Sequence, residues 1–308
     1  MNPYQLIKYV PLSVLQIVAR FVARMIIWLP NLSIVRTINI NLALINSALT
    51  SKQRKIITKN IVLNQSLSTV ESIKSWAMSP EWSISQIRDV HDKQILLEGL
   101  ANPNGMLAIV PHLGTWEIMN AWLNQFGAPT IMYKPVDSKL ANDFILQGRA
   151  RLNAILVPTD ASGVKAVFKT LKQGGFSILL PDHVPDLSGG VIAPFFGVET
   201  LTSTLASKLA SKTNCALVGL SCIRCKDGKG FDIYCYKLDD QALYNRDAIA
   251  ATSALNQALQ TIIEPHFDHY MWGYRRFKQL PSIGNPYRAT KSELQAFIAS
   301  NCDDAHLS

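Results

Sequence analysis

The hydrophobic positions of this chain keep a helical period through its first hundred residues and then change rhythm. Ile34, Val35, Ile38, Leu42 and Ile45 recur at the 3.6-residue spacing of a helix with one buried face. Before them, Pro11 to Leu29 is apolar almost throughout. Ser13, Gln16, Arg20 and Arg24 interrupt it at intervals of three to four residues, which gathers them into a polar stripe on one side of a helix. Ser51 suits the cap of a basic helix, and Ser79-Pro80 pairs a capping serine with proline at the first helical position. From Met106 onward, short apolar runs alternate with helical stretches. The pattern predicts strands over 106–110, 130–133, 154–157 and 176–180, and helices over 116–126, 142–152, 164–172 and 202–212. A hairpin over 216–238 turns at Asp227-Gly228-Lys229-Gly230, and a long helix follows over about 247–263.

Strands that alternate with helices predict an α/β fold: a mostly parallel, mixed sheet flanked by helices, with the late hairpin supplying the antiparallel member. No repeat, low-complexity tract or Gly/Ser/Pro linker divides the chain. The expected organisation is a membrane-associating amphipathic helix over 1–30, a helical part over 31–100, and an α/β core over 101–308 that forms one domain with the preceding helices.

Composition sharpens the N-terminal reading. Of 308 residues 48% are hydrophobic and 17% charged, which excludes long disorder. The formal net charge is +8. The first 70 residues hold eight basic and no acidic side chains, Glu71 being the first acid, and the remaining charges cancel. A uniformly basic nucleic-acid binder would not look like this; here a neutral body follows a basic, apolar front end. Ten Leu, Ile, Val or Phe residues in Pro11 to Leu29 contribute about −3 to −6 kcal/mol toward insertion, against roughly +5 to +7 for Arg20 and Arg24. That balance favours a helix lying in the interface, arginines toward anionic headgroups, over a clean span. No Ala-x-Ala-type site follows the apolar stretch, so a signal peptide is not expected. Five cysteines argue against a disulfide framework. Cys222 and Cys225 have zinc-like spacing but lie on a predicted strand, where they point to opposite faces, so reduced thiols are expected.

Neither GxSxG, P-loop nor GxGxxG occurs, which removes the usual signatures of serine hydrolases, nucleotide hydrolases and dinucleotide oxidoreductases. The informative junction is Val110-Pro111-His112-Leu113-Gly114-Thr115-Trp116-Glu117, where a strand gives way to a helix. A histidine there can take a proton from a hydroxyl at neutral pH, a carboxylate on its other ring nitrogen would fix the tautomer, and the helix start offers free backbone N–H groups to an oxyanion. The same residues read equally well as a loop histidine and a glutamate favoured by the helix dipole. Pro181-Asp182-His183 at a later strand end, and Arg149 with Arg151 on a helix, are the other candidates.

Pro111 to Glu117 resembles the His-x4-Asp/Glu motif of the glycerolipid acyltransferase superfamily, and within it the late acyltransferases of bacterial lipid A biosynthesis, the lauroyl and myristoyl transferase branch. Three further blocks are similar to that branch. They are Tyr133-Lys134-Pro135 with Arg149-Ala150-Arg151; Pro181-Asp182-His183 with Gly189-Gly190-Val191 and Pro194-Phe195-Phe196-Gly197; and Trp272-Gly273-Tyr274-Arg275-Arg276-Phe277-Lys278. The likeness covers roughly residues 100–280. Two departures stand out: Pro111 precedes the histidine where Asn is common, and His183 follows Asp182 where Gln is frequent.

The resemblance implies an acyltransferase that moves a fatty acyl chain from acyl carrier protein to a hydroxyl of a Kdo-bearing lipid A precursor, at the cytoplasmic face of the inner membrane. It implies no cofactor, no metal and no nucleic acid, and slow thioester hydrolysis as a side activity. His112 would be the general base and Glu117 its support. Arg149, with Arg151 ranked below it, would meet an oxyanion or phosphate, and Arg149 would partner Asp182. Phe195 and Phe196 would border an acyl-chain pocket or simply fill core. Trp272 with Arg275-Arg276 would form an interfacial cluster or an aromatic–arginine pack. His266 and His269 read as a solvated helix end rather than metal ligands. An acyl-CoA-dependent phospholipid or mannolipid acyltransferase, and a lipid-binding protein without turnover, are the alternatives.

Overall fold

The computed structural model describes residues 3–304, so the outer ends of the two terminal segments, 1–2 and 305–308, lie outside the described residues. A short 3-10 turn leads into α1 (Leu12–Trp28), followed by α2 (Ser33–Ile45), α3 (Ser51–Ala77), α4 (Pro80–Ser85), β1 (Ile87–His91) and α5 (Lys93–Leu100). The core continues with β2 (Met106–Ile109), α6 (Trp116–Leu123), β3 (Thr130–Tyr133), α7 (Lys139–Arg149), β4 (Ile155–Pro158), α8 (Ala161–Lys172) and β5 (Phe176–Leu179). Then come β6 (Gly190–Phe195), β7 (Val198–Ser203), α9 (Leu205–Thr213), β8 (Ala216–Arg224), β9 (Phe231–Lys237), α10 (Ala248–Ile263) and α11 (Lys291–Asp304). Side chains start several helices where the sequence offers them. Thr50 and Gln53 form a reciprocal capping box on α3, and Ser79, Asp160 and Asp247 accept first-turn N–H groups of α4, α8 and α10.

Seven strands form one sheet in the order β1-β9-β8-β2-β5-β3-β4. Strands β8, β2, β5, β3 and β4 run parallel, while β9 is antiparallel to β8 and β1 runs with β9. The α/β class and the mixed sheet are therefore as the sequence predicts. Two strand regions differ from it. Residues 87–91 fall within the stretch read as helical but form the edge strand β1, and β6 and β7 make a separate antiparallel hairpin that takes Thr202 and Ser203 from the predicted 202–212 helix.

Strand β2 lies in the middle, buried along its whole length. Leu107 and Ile109 join the core under α2, α3 and α8–α10, while Met106, Ala108 and Val110 join the core with Ile118, Met119 and Trp122 of α6. Alternate side chains thus feed two hydrophobic layers, the arrangement a doubly covered sheet requires.

Helix α1 packs against α3 through Ala19, Ala23 and Gln16, whose amide donates to Glu71 Oε1 at 2.9 Å. The polar stripe is therefore split. Gln16 turns inward, Arg20 is half-buried, and Ser13 and Arg24 stay exposed. The outward face is apolar instead: Val14, Ile17, Val18, Phe21, Val22 and Met25 are exposed, and Trp28 is 83% exposed. Among the described residues no single helix is long and apolar enough to cross a membrane; α1 and α2 would reach that length only together, and they meet at a 73° bend. Helix α2 is committed to the body. Ile38 and Leu42 are fully buried, and Asn41 donates to the Trp272 and Tyr274 carbonyls.

Candidate active site

The parallel pairing of β2 with β5 sets the site. Ile109 pairs with Leu179, and Val110 N–H continues the ladder to the Leu179 carbonyl at 3.0 Å. Three residues beyond each paired position come His112 and Asp182, side by side at the carboxyl ends of adjacent central strands. The His112 amide donates to Asp182 Oδ2 at 2.8 Å, and His112 Nδ1 lies 2.7 Å from Asp182 Oδ1. A carboxylate at that distance keeps the proton on Nδ1 and leaves Nε2 as the basic nitrogen. Nε2 has no hydrogen-bond partner among the described residues, and the side chain is 16% exposed. Burial alone would raise the Asp182 carboxyl. The charge and hydrogen bonds of His112 outweigh that effect and hold it well below the usual carboxylate range.

The loop after His112 is tied down on several sides. The Gly114 N–H donates to the His269 carbonyl at 3.1 Å, Thr115 N–H to the Cys222 carbonyl at 2.9 Å, and Met271 N–H to the His112 carbonyl at 2.9 Å. Gly114 has φ +64, and a Cβ there would sit 2.0 Å from the Cys222 oxygen, so only glycine fits. Thr115 Oγ1 donates to Glu71 Oε2 at 2.7 Å. Glu71 is fully buried and is also bound by Arg224, through Nε at 2.5 Å and an Nη at 3.0 Å. Arg224 reaches Asn64 as well, at 2.9 Å. Nothing in the sequence pattern marks Glu71 and Arg224 as partners, because they lie 153 residues apart; the lone acid closing a seventy-residue basic stretch was the available signal.

Among the described residues no hydrogen bond joins Glu117 to His112. The Glu117 carboxylate, on the first turn of α6, meets Arg149 Nη at 2.5 Å, and both side chains are buried. Gly114 takes a left-handed conformation between the two motif residues, and Glu117 meets the end of α7. Arg149, the last residue of α7, lies between the Trp116 and Tyr133 rings, 4.9 and 5.0 Å from their centroids. Helix α7 can approach because Gly148 sits on Trp76: a Cβ would come within 2.7 Å of the Trp76 Cβ. The pairing of Arg149 with Asp182 expected from sequence is thus replaced by two separate pairs, His112–Asp182 and Glu117–Arg149. Arg151 donates to the Trp76 and Met78 carbonyls and so closes the end of α3.

The remaining candidates lie in packed surroundings or at the surface. Phe195 is fully buried beside Tyr270 and Phe277 with the Arg276 guanidinium 4.8 Å over its ring, and Phe196 packs on Phe267 and Trp272. Trp272 is buried with Nε1 bonded to the Phe267 carbonyl, and buried Arg276 binds the Leu201 carbonyl and Thr202 hydroxyl, which makes this segment core rather than a headgroup contact. Arg275 alone is exposed. His266 lies against Tyr234, and His269 is tucked beside Arg224. Cys215, Cys222, Cys225 and Cys235 are free thiols. Burial pushes Cys225 up to about 11 and Cys235 up to about 12, which keeps them protonated and poorly nucleophilic at neutral pH.

His183 occupies a position with no assigned role in the sequence. Its ring stacks on His112 with centroids 4.1 Å apart.

Against known proteins, residues 4–279 match the family described as bacterial lipid A biosynthesis acyltransferase. The chain is similar to a lipid A biosynthesis acyltransferase of Haemophilus influenzae, 26% identical over 254 residues, covering 80% of this chain and 78% of that protein. It is 28% identical over 242 residues to a lipid A biosynthesis lauroyltransferase of Escherichia coli, covering 77% and 76% of the two chains. A lipid A biosynthesis palmitoleoyltransferase of Escherichia coli is 23% identical over 234 residues, with 75% and 74% covered.

Proposed function

The chain belongs to the bacterial lipid A biosynthesis acyltransferase family, and from that membership we propose that it transfers a fatty acyl chain from acyl carrier protein to a hydroxyl of a Kdo-bearing lipid A precursor, with His112 as general base and Asp182 as its orienting carboxylate. The observation that carries the residue roles is the 2.7 Å contact between His112 Nδ1 and Asp182 Oδ1, which leaves Nε2 basic at the end of the central strand.

In this reading Nε2 takes the proton of the acceptor hydroxyl as its oxygen attacks the thioester carbonyl. Asp182 stabilises the imidazolium that forms. The tetrahedral intermediate collapses by breaking the carbon–sulfur bond, and the imidazolium returns the proton to the departing thiolate. The products are an ester and a free thiol, and no covalent enzyme intermediate is needed. Glu117 and Arg149 hold the start of α6 against the end of α7, and thereby fix the loop that carries His112. Water in place of the hydroxyl would give slow thioester hydrolysis.

The outward apolar face of α1 supports attachment to the cytoplasmic leaflet of the inner membrane, with α1 lying in the interface plane and Arg24 beside the apolar face. A transfer assay with acyl carrier protein thioester and lipid A precursor in mixed micelles tests the reading. His112→Ala should lose at least about a hundredfold in turnover; near wild-type transfer would overturn the assignment. Activity only with acyl-CoA and a glycerophosphate-type acceptor would displace the proposed substrates.

A further inference from the structure

His183 lies between two rings. On one side is His112, centroids 4.1 Å apart with planes 27° from parallel; on the other is Tyr274, centroids 4.8 Å apart at 49°. Both neighbours are held independently. Asp182 grips the edge of His112, and the Tyr274 hydroxyl accepts the Val184 N–H at 3.0 Å while the Tyr274 carbonyl accepts from Asn41. The two ring faces of His183 are covered by these neighbours, which strips water from the imidazole, while the rest of the residue is open to solvent. Asp182 fixes where the edge of the His112 ring sits but leaves its tilt free. The stacked ring of His183 restrains that tilt, because His112 cannot swing without displacing a ring wedged against Tyr274.

We infer that His183 is a positioning residue for the transfer: its face clamps the His112 ring so that Nε2 keeps one direction, and it lies against the imidazolium formed when the hydroxyl proton is taken. An aromatic face beside a cation is attractive. Burial, and then the charge of His112, push the His183 ring down to about 4, so at neutral pH it is uncharged and does not repel its neighbour. On this account the ring face matters and the ring nitrogens do not, which sets His183 apart from a hydrogen-bonding group at the same position. The inference rests on His112 being the general base.

Three variants decide it, each assayed for kcat and KM separately in the micellar transfer assay. His183→Phe keeps an aromatic face and should stay within about threefold of wild-type kcat. His183→Ala and His183→Gln lose the stack and should fall about tenfold or more in kcat, with KM within about twofold. Circular dichroism melts confirm that each variant is folded, which an exposed position favours. Retention by Gln with loss in Phe would assign the effect to hydrogen bonding and overturn the clamp; unchanged kcat in all three would overturn it too. His112→Ala is assayed in parallel. If it abolishes transfer while the His183 variants are unaffected, only the clamp fails; if it retains transfer, the general-base reading itself fails.

Discussion

Asp182→Asn separates two accounts of the site that differ in which carboxylate serves His112. The substitution is nearly isosteric, and the asparagine oxygen can still accept the His112 amide, now 2.8 Å from Asp182 Oδ2. What disappears is the charge beside the imidazole. Two unit charges about 4 Å apart attract by about 4 kcal/mol at an effective dielectric of about 20, and each 1.4 kcal/mol is tenfold in rate. Loss of the stabilised imidazolium therefore predicts a fall in kcat of about a thousandfold. The asparagine amide can also donate to Nδ1, which moves the ring proton to Nε2 and acts in the same direction. The assay is label transfer from acyl carrier protein at saturating acceptor, with Glu117→Gln measured beside it. Asp182→Asn should reduce kcat far more than Glu117→Gln once both are corrected for folded fraction. If Asp182→Asn stays within tenfold of wild type while folded Glu117→Gln is dead, the supporting carboxylate is Glu117 and the reasoning from the 2.7 Å contact is refuted.

Three further outcomes are expected. Glu117→Ala should cost about 3–5 kcal/mol of stability by stranding buried Arg149, and adding Arg149→Met should recover part of that loss in denaturant melts. Ile17→Asp with Phe21→Asp, both on the exposed face of α1, should reduce binding to anionic vesicles at least tenfold in flotation assays while leaving the melting temperature nearly unchanged. His269 is pushed down to about 4, first by burial and then by the positive charge of Arg224. An unfolded histidine takes its proton near pH 6.5, so between about 6.5 and 4 the unfolded chain binds more protons than the folded one. Stability should fall as pH drops through that window, by at most about 3 kcal/mol from this group. His269→Gln should flatten the slope in melts recorded from pH 7 to pH 4.

The strands of the central sheet were legible because their apolar runs are short, dense and closed by glycine or a turn. Phe176 to Leu180 and the 216–238 hairpin carry that signal. Strand β1 was not, because Ile-Arg-Asp-Val-His at a sheet edge buries little and shows no run. The hairpin of β6 and β7 hid behind Pro194 and Gly197, residues that usually interrupt strands. His112 was found from its place after a buried strand. The carboxylate that meets the ring is not the one the spacing suggests: Glu117 is five residues away and Asp182 seventy, and the β2–β5 register brings the distant carboxylate to His112. The same non-local logic hid the link between Glu117 and Arg149. The sequence predicts that Ser13, Gln16, Arg20 and Arg24 share one polar stripe on α1. One inward hydrogen bond, from Gln16 to a carboxylate on α3, splits that stripe and leaves the apolar side of the helix outward.

That carboxylate, Glu71, accepts from Gln16 of α1 and from Thr115 of the loop between His112 and Glu117. Removing either donor leaves a lone pair of a fully enclosed anion without a mate. The packing of α1 and the shape of the loop that carries His112 are thereby coupled through one buried carboxylate, so a change at either contact is felt at the other.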